Sequence, residues 1–94
     1  MEEERIIKKL TDEGCPSFMV SNMVEKIKAM DPELLAVFSL WCDNGKTPDI
    51  EVEGFTFESL VNDYDMNPVG AFLTLDWLRK EPEKASQEIK RGIK

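Results

Sequence analysis

The chain has 94 residues, 41% of them hydrophobic and 33% charged, which describes a folded globule and excludes a disordered chain. A single domain of this length buries about 60–65% of its unfolded surface, enough for a modest core without metal or disulfide support. The formal charge of −7 repels nucleic-acid phosphates, and the absence of histidine removes Ser-His-Asp and Cys-His nucleophilic arrangements.

The expected fold class is all-α: five or six short helices forming one domain over residues 1–94. Helix starts are set by prolines, which suit the first helical position because their missing N–H has no intrahelical partner there. Cys15-Pro16, Asp31-Pro32, Asn67-Pro68 and Glu81-Pro82 are such starts. Asp31 and Asn67 are also good N-caps. Gly14 and Gly45 suit the left-handed position that ends a helix.

In chain order, a first helix is expected over about 2–12, with Ile6, Ile7 and Leu10 as a narrow apolar stripe. A second, over about 16–30, carries Val20, Met23, Val24 and Ile27 at i, i+3, i+4 and i+7. Met19, Met23 and Met30 read as core filler in preference to an adaptable groove. The third, about 32–43, is nearly all apolar. Leu34 to Phe38 and Leu40 to Cys42 leave only Ser39 polar, so it is expected to be the buried central helix.

Residues 46–55 lack a helical period. Ile50, Glu51, Val52 and Glu53 alternate apolar and acidic, as in a short strand or extended segment. No second strand is evident. The simplest reading is an arm laid against the helices through Ile50 and Val52, the others being pairing across a dimer or with another protein.

A fourth helix is expected over about 56–65, capped by Thr56, stapled by Phe55 against Leu60, and buried through Phe57, Leu60, Val61 and Tyr64. The fifth, about 68–80, has an apolar surplus. Ala71, Leu75 and Leu78 form one face, and Val69, Leu73 and Trp77 a nearly opposite one. The second face is covered either by the chain itself, the favoured reading, or by another molecule. Asp76 is placed to pair with Lys80 at i, i+4. A sixth helix over about 82–91 has Ala85 and Ile89 to bury, and residues 92–94 are expected to fray.

The chemistry of catalysis is missing: Cys15 and Cys42 are twenty-seven residues apart, without the spacing of a zinc site, and Asp43-Asn44-Gly45 lacks the spacing of a calcium loop. The five glycines are scattered singly, so there is no phosphate-binding loop. Neither an enzyme nor a cofactor or metal site is expected. The acidic start lacks the basic stretch of a secretory signal, no membrane span is visible, and free thiols in the cytoplasm are expected.

A protein-binding adaptor, regulator or inhibitor is therefore the expected function. Its candidate contacts are Val69, Leu73 and Trp77, with the acidic Asp49, Glu51 and Glu53. From Asp43 to Asp65 seven acids face one base, a balance of −6 that would steer a basic partner. A homodimer also fits.

The fourth and fifth helices have the lengths of a helix-turn-helix, which makes a DNA-binding regulator the alternative. The first turns of the fifth helix, from Pro68 to Thr74, carry no basic residue, so nucleic acid is an unfavourable partner. A third reading makes the acidic stretch a nucleic-acid mimic.

Overall fold

The computed structural model describes residues 3–92. The expected start of the first helix at Glu2 and the fraying at residues 93–94 lie outside the described residues. The fold is all-α: the described residues form six helices and one minimal hairpin, divided between two compact units, residues 1–46 and 47–94.

The first unit holds α1 (Glu3–Asp12), α2 (Ser17–Lys28) and α3 (Pro32–Asn44). Ile6 and Leu10 of α1, Val24 and Ile27 of α2, Met30, and Leu34, Phe38 and Trp41 of α3 are its buried residues. These spacings of three and four place each set on one helical stripe. Lys28 pairs with Glu3 at 3.6 Å, linking α2 to α1. Arg5 pairs with Asp43, linking α1 to α3. Lys9 Nζ sits 4.1 Å from the centre of the Trp41 ring, which in turn packs against Phe38 at 5.8 Å.

Helix α3 begins as its sequence directs. The Asp31 carboxylate accepts the Glu33 backbone N–H at 3.0 Å, with Pro32 in the first turn. It ends at Gly45, whose φ of 69° lets its N–H reach back to the Trp41 carbonyl at 2.8 Å. Burial around its whole circumference does not follow. Leu34 and Phe38 are sealed, but Leu40 is 60% exposed, and Leu35 and Val37 are half-buried. An apolar residue on every side of a helix does not guarantee that a neighbour covers every side.

The second unit begins with the hairpin. Strand β1 (Glu51–Val52) pairs antiparallel with β2 (Phe55–Thr56), Val52 opposite Phe55 and Glu51 opposite Thr56. The segment at 46–55 was expected to have no strand partner within the chain. It has one, starting three residues after Val52. The connection is the two residues Glu53 and Gly54, with φ of 53° and 84°. Two positive φ values in a two-residue loop are the type I′ pattern, whose twist matches that of the paired strands. Ile50, Val52 and Phe55 are buried.

Thr56 closes β2 and also caps α4 (Phe57–Asn62). Its hydroxyl accepts the Ser59 N–H at 3.0 Å, while the Ser59 hydroxyl accepts the Thr56 N–H at 3.0 Å, a reciprocal capping box. The helix stops at Asn62, shorter than the expected 56–65, and Asp65 takes a left-handed φ of 56° in the turn that follows. Then α5 (Pro68–Lys80) starts with the Asn67 side chain accepting the Val69 N–H at 2.9 Å. It packs on α4, β1 and α6 (Pro82–Arg91). Val69, Ala71, Phe72, Leu75, Asp76 and Leu78 are all buried. This is the helix covered on most sides, with Phe72 against Phe57 at 4.9 Å. Tyr64 meets Phe55 edge-on at 5.6 Å. Helix α6 buries Ala85 and Ile89 and nothing else, as its sequence implied.

Candidate functional site

The three apolar residues expected to form a contact patch on α5 do not share one environment. Val69 is 2% exposed and so belongs to the interior, which removes it from any surface patch. Leu73 and Trp77 are half-buried. The Trp77 indole N–H donates to a Glu81 carboxylate oxygen at 2.8 Å, so the ring is held by a partner one turn away. Asp76 is buried and bonded to the Lys80 ammonium at 2.8 Å, the i, i+4 pair its spacing indicated.

The acidic candidates are on the surface. Asp49, Glu51 and Glu53 are exposed, while Ile50 and Val52 between them turn inward. This is the alternation of a strand with one buried face. It fixes the carboxylate of Glu51 on the solvent side, and Glu53 is exposed from the turn.

A different surface stands out in the first unit. Phe18, in the first turn of α2, is 83% exposed, and Met19 beside it 41%. Pro16, Ser17, Ser21 and Asn22 are exposed as well, with Val20 and Met23 half-buried. From Gly14 to Val24 the chain carries no charge, although one residue in three of the whole is charged. The inward stripe of α2 is set by Val24 and Ile27, and Phe18 lies on the opposite side of the helix from Ile27. Phe18 therefore faces water because the helix phase is fixed by those deeper residues. Among the described residues of this unit, Leu40 on α3 and Ile7 on α1, 60% and 39% exposed, are the other large apolar residues left in solvent.

Two of the shallow grooves among the described residues lie beside charged side chains. One, of about 380 Å³, lies between the turn at Asp63–Met66 and the last turn of α6, lined also by Glu88, Ile89 and Gly92. Its Glu88 is engaged by Arg91 at 3.2 Å. The other, of about 260 Å³, is lined by Arg5, Lys8, Lys9, Asp12, Cys42 and Asp43. Each of its cations has a carboxylate partner: Asp43 for Arg5, Asp12 for Lys8 at 3.2 Å, and Glu13 for Lys9 at 3.5 Å. Burial pushes the Cys42 thiol up from its ordinary pKa, against the opposing pull of Lys9 and Arg5, with Glu13 adding to the rise. Cys42 is thereby held as a thiol, the less nucleophilic form. Both cysteines are free.

Among the described residues, no group of three or more His, Cys, Asp or Glu side chains is placed to hold a metal ion. No helix of the described residues is long and apolar enough to cross a membrane. The first turns of α5, which a helix-turn-helix would lay on DNA, bury Val69, Ala71 and Phe72.

The arrangement offers apolar contact at the start of α2 and exposed carboxylates on the hairpin. The α2 surface was missed in the sequence, where Val20, Met23, Val24 and Ile27 drew attention to the buried side. The uncharged run around Phe18 was the signal that could have found it. Comparison with family models, curated proteins and solved structures gives no significant match.

Proposed function

We propose that this chain is a non-catalytic protein-binding module whose principal contact is the uncharged, exposed start of α2. The observation that carries this is Phe18, 83% exposed within a run of neighbours that bear no charge. A phenylalanine left in water forgoes about 1.5–3 kcal/mol of burial free energy, which an apolar pocket on a partner recovers on association. Aromatic side chains seated in such pockets are typical binding hot spots. The occupant is accordingly an apolar site on another protein. A membrane surface is a poorer match, because the run from Gly14 to Val24 holds no lysine or arginine and the two of α2, Lys26 and Lys28, are confined to its last turn. The hairpin acids Asp49, Glu51 and Glu53 would add long-range attraction for a basic partner, an effect on association rate more than on affinity.

The test compares native-lysate recovery by wild type, Phe18→Ser/Met19→Ser and Leu73→Ala/Trp77→Ala, each checked for native circular dichroism. Loss of a discrete partner in the first variant and its retention in the second is the expected result. Equal recovery by all three proteins would refute the assignment of the surface.

A further inference from the structure

We draw no further inference here: the strongest candidate, the open groove between the α4–α5 turn and the last turn of α6, is rimmed by the carboxylates of Asp63, Asp65 and Glu88, and nothing in the structure points to a ligand for it.

Discussion

Replacing Glu53 with asparagine should stabilise the protein. Glu53 occupies the first central position of the hairpin turn with φ of 53°, where its Cβ crowds the backbone. A left-handed conformation costs an ordinary L-residue roughly 1–2 kcal/mol, and asparagine tolerates it better. Asn-Gly is also the dipeptide most favoured in this turn, so Glu53→Asn should gain about 0.5–1 kcal/mol. For a chain of this size that gain raises Tm by about 2–8 °C, measurable by thermal circular dichroism.

The substitution also removes one charge from the acidic stretch, and Glu51→Gln controls for this. Glu51 is an exposed neighbour in the strand whose φ is not positive. The converse change, Gly54→Ala, should cost about 1 kcal/mol through the backbone alone. Space is not the obstacle, since a Cβ there would meet nothing within 4 Å. If Glu53→Asn stabilises no more than Glu51→Gln, the turn conformation is not what limits stability.

Two phenylalanines should behave oppositely. Phe72→Ala, at a fully buried site, should cost about 3–5 kcal/mol in urea unfolding. Phe18→Ser should stay within about 0.5 kcal/mol of wild type. The caps offer a further pair: Asp31→Ala and Asn67→Ala should each lose about 1 kcal/mol, read as lower urea midpoints with unchanged slope.

Cys42 makes a pH prediction. Its folded-state pKa is raised, so the unfolded chain releases the proton first. The stability this contributes is complete below the ordinary thiol pKa and declines as pH rises from there towards the folded value. Wild type should therefore lose stability more steeply than Cys42→Ser above that ordinary pKa. At pH 8, iodoacetamide should label Cys42 more slowly than free N-acetylcysteine. Faster labelling would contradict a desolvated thiol.

The elements governed by local chemistry were legible in the sequence. Asp31-Pro32 and Asn67-Pro68 start helices because the cap and the proline act within a few residues of chain. Thr56 was readable as a cap for the same reason, although Ser59 completes its box in place of the usual glutamate or glutamine. Properties that depend on distant packing were less legible. Both α3 and α5 are apolar on several sides. Only the fold decides that α5 is covered at Val69 while α3 leaves Leu40 in solvent.

The hairpin was obscured for two reasons. Its second strand is only Phe55–Thr56, and Glu-Gly lacks the Asn-Gly signature of its turn. Of the site, the hairpin acids were found because a period-two alternation states which side faces water. Phe18 was not, because it sits one residue from Met19 in a helix whose apolar periodicity was assigned wholly to the core.

The most direct measurement of a binding face at Phe18 is site-specific photo-crosslinking in native lysate. Benzoylphenylalanine is placed at position 18 in one protein, at 77 in a second and at 51 in a third. A protein-binding face on α2 predicts one discrete heavier adduct from position 18, weak or absent at the other two positions and competed by unlabelled wild type. Position 18 giving no adduct, or no more than positions 51 and 77, would contradict it.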